Sequence, residues 1–225
     1  MSTREAVAPV GDVGTSTAQA TRAQALPLDA PRRRSYSRFS KRTFDVVVAL
    51  FGLVLTLPLW PLLAWLVLRT EGALLHRQLR VGEGGRTFTI YKLRTMHRDA
   101  EPLGQALWSQ TPDPRITFGG RLLRDTHLDE LPQLWNVLLG DMSIVGPRPE
   151  RPELSDALAR DIPNWNLRLC VKPGLTGWAQ VRLGYVSDSA RSEEKLAHDL
   201  WYIEHRSVLL DAAICLRTLP SLLPR

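Results

Sequence analysis

The chain has 225 residues, 44% of them hydrophobic, with a formal net charge of +6 and a sequence pI near 9.8. That length holds one full domain plus an appendage, with enough apolar sequence for a core of ordinary size. The charge favours anionic partners (nucleic acid, anionic lipid or phosphorylated substrates), while the two cysteines, Cys170 and Cys215, argue against a disulfide framework or a CxxC metal knuckle and fit a reducing, cytosol-facing setting.

Residues 1–31 are rich in Ala, Thr, Val, Gln and Pro without a sustained period and read as a disordered tail. They lack the charged-then-apolar order of a secretory signal. A basic stretch follows: Arg32, Arg33, Arg34, Arg38, Lys41 and Arg42. Val46 to Leu68 then runs without a charge for about 23 residues, or about 35 Å as a helix, enough to span a bilayer. Pro58 and Pro61 interrupt it and predict a kink. Both flanks are basic, with Arg69, Arg77 and Arg80 downstream. Since Lys and Arg stay on the cytoplasmic side, the run is expected to enter the membrane and return on the same face, with about 12 residues per arm. The simpler alternative is a single-span anchor. Carbonyls freed at the kink need partners, and the Thr56 hydroxyl is one candidate.

Downstream, Arg86 to Arg94 alternates and is rich in β-branched and aromatic residues, which predicts a strand after a turn at Gly82–Gly85. Residues 97–114 are expected to form a short helix and a loop. From Leu128, apolar residues at Leu131, Leu134, Trp135, Leu138 and Leu139 predict a helix with one buried face, ended by Gly140. Gly146–Pro152 and Lys172–Trp178 read as tight loops. Ser192 to Leu219 reads as helical, its amphipathic last part suited to a membrane surface.

The chemistry concentrates in Leu128–Pro149. Asp129 and Glu130 stand at a helix start, a placement that Pro132 supports. Such an end favours ionised carboxylates and attracts phosphate. An ionised carboxylate can ligate Mg²⁺ or attack phosphorus. An isolated Asp-Glu before an apolar stripe is more often a cap and a solvated acid. Here Arg124 precedes the pair, Arg148 is held between Pro147 and Pro149, and Lys92 and Arg94 alternate onto one face of the strand. Arginine forks match phosphate oxygens, so the set points to a phosphate-handling site beside a membrane.

These residues resemble a known family, the bacterial sugar transferases, which are monotopic polyprenol-phosphate phosphoglycosyl transferases. The resemblance covers Lys41 to about Leu219. It rests on Lys41-Arg42-Thr43-Phe44-Asp45, Pro58, Gln78-Leu79-Arg80-Val81-Gly82, Tyr91-Lys92-Leu93-Arg94-Thr95-Met96, Asp113-Pro114-Arg115-Ile116-Thr117, the Leu128–Pro149 block, Lys172–Gln180 and Asp199-Leu200-Trp201-Tyr202. Leu57, Phe118, His127 and Glu71-Gly72-Ala73 depart from the usual pattern, though none is a catalytic position. Larger members carry transmembrane helices ahead of this core, and none is expected here.

The resemblance implies transfer of a sugar 1-phosphate from a UDP-sugar to undecaprenyl phosphate, with release of UMP and with Mg²⁺ as cofactor. It implies Asp129 as nucleophile and Glu130 as its partner, both near the metal, and Lys92, Arg124, Arg148 and Asp199 lining the site with Arg94. The expected fold is α+β and mostly helical, with three regions: a tail (1–38), a re-entrant membrane hairpin (39–70) and a compact cytosolic catalytic domain (71–225). That domain would carry a small β element and interfacial amphipathic helices. The expected place is the cytoplasmic membrane of a bacterium, among membrane lipids and without nucleic acid. A homodimer, the sugar and the glycan stay open; sugar specificity is expected in the loops around 97–112 and 181–192. Two rival readings are direct transfer, with Asp129 only a metal ligand, and a non-enzymatic membrane scaffold or nucleic-acid binder.

Overall fold

The computed structural model describes residues 36–69, 73–97, 100, 113–184 and 191–222. The predicted tail, most of the 97–114 segment and part of the 181–192 loop lie outside them.

The apolar run forms two helices in succession, α1 (Arg38–Thr56) and α2 (Trp60–Leu68), joined by a 3₁₀ turn at Leu57–Leu59. The prolines explain the joint. Neither Pro58 nor Pro61 has an N–H, so the carbonyls of Val54 and Leu57 lose their α-helical donors. The N–H of Leu57 reaches back to Val54 O, and the N–H of Trp60 to Leu57 O, one residue tighter than an α-helix. That move leaves Leu53 O short of its own donor, and the Thr56 hydroxyl lies 3.3 Å from it and 2.7 Å from Gly52 O. The expected partner at the kink is therefore present. The arms are unequal, 19 and 9 residues, instead of 12 each. The pair is the one stretch among the described residues long and apolar enough to cross a membrane, and only 11% of its most apolar window is buried.

Both arms nevertheless dock on the same body. At the start of α1, buried Asp45 accepts from the Ser143 hydroxyl at 2.9 Å and the Ile144 N–H at 3.0 Å. Arg42 donates to the carbonyls of Val137 and Leu138. Ala49 joins the main core with Ile90, Leu134, Val137, Met142, Ile144, Trp178, Tyr202 and Ile214. In α2, Leu63 and Val67 form a second core with Leu93 and Leu123. A Cβ on Gly119 would lie 2.9 Å from Leu66 Cγ, so this helix contact requires glycine. A third core joins Leu158, Ile162, Trp165 and Leu196.

The β content is small, as expected for a mostly helical chain. β1 (Leu75–Val81) and β2 (Thr87–Leu93) form an antiparallel hairpin around Gly82–Gly85, pairing Leu75 with Leu93 and Val81 with Thr87. The sequence reading anticipated β2 and missed β1. After it come α3 (Phe118–Asp125), capped by Thr117, and α4 (Gln133–Leu139), ended by Gly140 at φ 93°. Strand β3 (Ser143–Val145) pairs in parallel with β4 (Gly174–Thr176), so the predicted Lys172–Trp178 loop contains a strand. The remaining helices are α5 (Pro152–Asp161), α6 (Trp178–Leu183), α7 (Ser192–His205) and α8 (Val208–Thr218). The continuous helix expected from Ser192 is broken at Arg206-Ser207, where Ser207 turns extended and caps α8.

One expectation about burial needs correction. Of the apolar side chains on α4 only Leu134 and Val137 are buried, while Trp135 and Leu139 are more than half exposed. The helix has only seven residues and presses one side against α1 and β2, so the wider apolar stripe wraps around to the outside. On α8, for which no burial was expected, Leu209 and Leu216 face outward, at 83% and 67% exposure.

Where β3 meets β4 the backbones nearly touch. Gly146 N–H donates to Thr176 O, and Gly174 N–H to Pro147 O. A Cβ on Gly174 would lie 2.1 Å from Gly146 N. Gly174→Ala should therefore cost at least about 2–3 kcal/mol. Gly84→Ala meets nothing within 4 Å and should cost only about 1 kcal/mol, from its positive φ. Thermal unfolding of the two variants in detergent checks the difference.

Candidate active site

Asp129 and Glu130 lie on a single 3₁₀ turn, Leu128–Glu130, between α3 and α4. They are not in the first turn of α4, as the sequence suggested. His127 ends α3 in a left-handed conformation, φ 55°. Pro132 has no N–H, so the hydrogen-bond ladder cannot run unbroken from Leu128 into α4. Its place is taken by tight bonds from Glu130 N–H to His127 O and from Leu131 N–H to Leu128 O. Both acids are buried.

Their partners arrive from elsewhere in the chain. Lys92 on β2 places Nζ 2.8 Å from Glu130 Oε1. Arg148, in the loop after β3, places one guanidinium nitrogen 2.6 Å from the same oxygen and the other 3.3 Å from Oε2. Both oxygens of Glu130 are thus engaged. Asp129 makes no hydrogen bond or ion pair with the described residues, although Lys92, Arg124 and Arg148 act on it through space. Arg124, on α3, donates to the Thr95 hydroxyl at 3.0 Å.

Adjacent acids therefore differ sharply in proton affinity. Burial pushes the Asp129 carboxyl up to about 6, against the pull of Lys92. Burial also opposes ionisation of Glu130, but Arg148 and Lys92 outweigh it and hold that carboxyl far below the usual range. Burial lowers Lys92 and His127, with Glu130 opposing both shifts. Two carboxyls pushed apart by their surroundings are suited to different tasks.

Side chains outside the predicted set position this arrangement. Asn136, fully buried on α4, accepts from Tyr91 N–H at 3.2 Å and donates to Thr89 O at 2.7 Å. It closes the open edge of β2 and places Lys92 over Glu130. Arg80 on β1 donates to Pro149 O at 3.0 Å; burial lowers it to about 10. Arg168, buried, donates to the carbonyl of Arg148 at 3.0 Å and to Asp199 Oδ2 at 2.6 Å. Glu150 lies beside Arg168 and Lys195. The predicted site residue Asp199 thus stands behind Arg148, reaching it through Arg168. Burial raises its carboxyl against the pull of Arg168. Arg94 lies one residue beyond β2, tied by its N–H to Leu74 O, and is not among the main charges acting on either acid. Arg80 lay in a motif already singled out and its alternation with Gln78 could have flagged it; Arg168 carried no local signal.

No cluster of three or more His, Cys, Asp or Glu side chains suited to a metal occurs among the described residues. Mg²⁺ usually keeps waters and binds through one or two carboxylates plus substrate phosphates. Asp129, a buried carboxylate without a partner among the described residues, fits that role.

The same neutralisation at the two acids should have opposite effects. Above pH 6 the folded state must hold Asp129 ionised against its raised affinity, a penalty absent below about pH 4. Asp129→Asn should therefore stabilise the apo protein at pH 8 by about 1–3 kcal/mol, and the gain should fade towards pH 4. Glu130 has a depressed affinity and contributes stability above its unfolded value near 4.3. Glu130→Gln strands Lys92 and Arg148 and should cost about 3 kcal/mol at pH 8. Unfolding midpoints across pH test both signs.

A family model described as bacterial sugar transferase matches residues 36–225. A UDP-glucose:undecaprenyl-phosphate glucose-1-phosphate transferase of Caulobacter vibrioides is 44% identical over 218 residues, covering 94% of this chain and 79% of its own. A UDP-N-acetylgalactosamine-undecaprenyl-phosphate N-acetylgalactosaminephosphotransferase of Aeromonas hydrophila is 41% identical over 186 residues, covering 82% of this chain. The match spans only 44% of that relative's length. The exopolysaccharide production protein ExoY of Sinorhizobium fredii is 34% identical over 228 residues, 92% of this chain and 95% of its own.

Proposed function

The chain belongs to the bacterial sugar transferase family, and on that premise we propose that it transfers a sugar 1-phosphate from a UDP-sugar to undecaprenyl phosphate, through a covalent intermediate on Asp129. The observation that carries the reading is the division between the two acids: Glu130 is saturated by cations, while Asp129 is buried, unpartnered and raised. A carboxylate raised towards 6 is still ionised at neutral pH, yet is more basic and hence more nucleophilic than an ordinary one.

In the first displacement an Asp129 oxygen forms a bond to the β-phosphorus, and the bond from that phosphorus to the bridging oxygen breaks. UMP leaves with the bond's electron pair. Lys92, Arg124 and Arg148 clear charge from the diphosphate oxygens. With Lys92 and Arg148 turned to the donor, Glu130 beside Asp129 would be free to hold Mg²⁺ with it. A bound Mg²⁺ would neutralise the diphosphate and the departing UMP. In the second displacement an oxygen of the lipid phosphate attacks the same phosphorus and Asp129 leaves as carboxylate. The lipid phosphate is largely ionised near neutral pH, so this step needs little base.

The same reading puts the catalytic body on the cytosolic face of the inner membrane. Support comes from the docking of both arms: the start of α1 and the end of α2 reach one body, whereas Phe51, Val54, Leu55, Leu57 and Leu62 between them are exposed. A re-entrant hairpin satisfies both contacts, with the middle in lipid. Exposed Phe118, Trp135, Leu139, Leu209 and Leu216 would lie at the boundary.

Incubation with radiolabelled UDP-sugar and no acceptor should leave label on the protein that is lost in Asp129→Asn, whose turnover should fall at least about 10⁴-fold. Near-normal turnover of that variant, or steady-state kinetics demanding a ternary complex without an adduct, would favour direct transfer instead. Wild-type turnover should decline as pH falls through about 6, where Asp129 takes up its proton. Topology is tested in a background with Cys170 and Cys215 replaced by Ser. Single cysteines at Ser37 and Arg69 should both react with an impermeant maleimide from the cytosolic side only.

A further inference from the structure

A second cavity, of about 450 Å³, opens at the root of α1. None of Lys92, Arg124, Asp129, Glu130 and Arg148 lines it. Its walls carry five cations, Arg38, Lys41, Arg42, Lys172 and Arg206, against two carboxylates, Asp45 and Glu83. Lys41 is already committed: its Nζ lies 2.6 Å from Asp211 Oδ2 and 3.2 Å from Asp45 Oδ1. Arg42 is tied to the carbonyls of Val137 and Leu138, which hold it in place but leave its charge. Arg38, Lys172 and Arg206 form no ion pair among the described residues. The cavity therefore combines an uncompensated positive wall with a rigid floor, in which Asp211 is locked by Tyr36, Lys41 and Tyr202.

Cations gathered around a hollow with fewer counter-charges than charges call for an anion, and arginine is well shaped for phosphate. The rim decides which kind. Beside Arg38 on α1 stands Phe39, 80% exposed, and beyond Arg206 on α8 stands Leu209, 83% exposed. A soluble phosphate has no use for apolar side chains flanking its cations; a phosphate carrying acyl chains does.

We propose that this cavity binds the phosphodiester headgroup of an anionic membrane phospholipid, with Arg38 and Arg206 gripping the phosphate and Phe39 and Leu209 meeting the acyl chains. The inference rests on the membrane placement argued above and is separate from the chemistry at Asp129. Its consequence is a fixed depth and orientation of the catalytic body on a negatively charged leaflet, anchored where α1 enters it.

The test uses the full chain in nonionic detergent micelles, titrated with dihexanoyl phosphatidylglycerol, dihexanoyl phosphatidylcholine or UMP, and reads the unfolding midpoint. Phosphatidylglycerol should raise the midpoint saturably and phosphatidylcholine should not. The double variant Arg38→Ala/Arg206→Ala should bind phosphatidylglycerol about 10-fold more weakly per arginine removed. Both arginines are exposed, and Arg38→Lys/Arg206→Lys should restore part of the effect. An equal response to phosphatidylcholine, or an unchanged response in the double variant, overturns the proposal. A UMP response that the double variant loses overturns the lipid assignment in favour of a soluble phosphate. UMP release from a UDP-sugar in the same preparation reports separately on the transferase reading.

Discussion

The site depends on one buried interaction, the grip of Lys92 and Arg148 on Glu130. Three charged groups taken out of water pay a large desolvation cost, recovered only if their geometry is held. Much of the rest of the fold holds it. Asn136 ties α4 to β2 and so fixes Lys92. The Arg148 loop is clasped from two sides, by Arg80 at Pro149 O and by Arg168 at its own carbonyl. The glycine contact between β3 and β4 sets where that loop begins. Burial raises the proton affinity of Asp129, and the charge of neighbouring Glu130 adds to it.

This arrangement also suits a charged donor. Glu130 keeps two cations ordered and offsets one of their two charges, which limits the cost of an empty anion site. On the proposed function, a diphosphate would offer those cations more charge than one carboxylate does, and its binding would exchange one set of ion pairs for another. The positioning groups, Arg168, Asp199, Asn136 and Arg80, take no part in that exchange and keep the frame rigid while it occurs.

The kinked apolar pair α1–α2 is built into the folded body at both ends. Ala49 sits in the main core and Val67 in the second, and Asp45 caps the start of β3. Helices so embedded cannot tilt without disturbing Leu134, Leu123 and Leu93. The cationic hollow at its root shares this rigidity, because Lys41, Asp45 and Asp211 join the hollow to the core.

Features set by near neighbours in the chain were legible from the sequence. Strand β2 alternates, the kink follows from two missing N–H groups, the Thr56 hydroxyl lies within reach of its own helix, and the acid pair stands out by composition. The harder elements lacked such a local mark. Strand β1, Leu-His-Arg-Gln-Leu-Arg-Val, mixes polar and apolar residues because most of it stays partly exposed; β3 and β4 are three residues each, too short for any period. Arg168 matters only through Arg148 and Asp199, which lie 20 and 31 residues away. The sequence by itself determined which groups were available and where the backbone had to bend, because those depend on covalent structure and local hydrogen bonding. Only the tertiary structure decided that Asp129 and Glu130, chemically near twins, hold their protons so differently. Electrostatics follows distance and burial, and Lys92 and Arg148 come to Glu130 from 38 and 18 residues away.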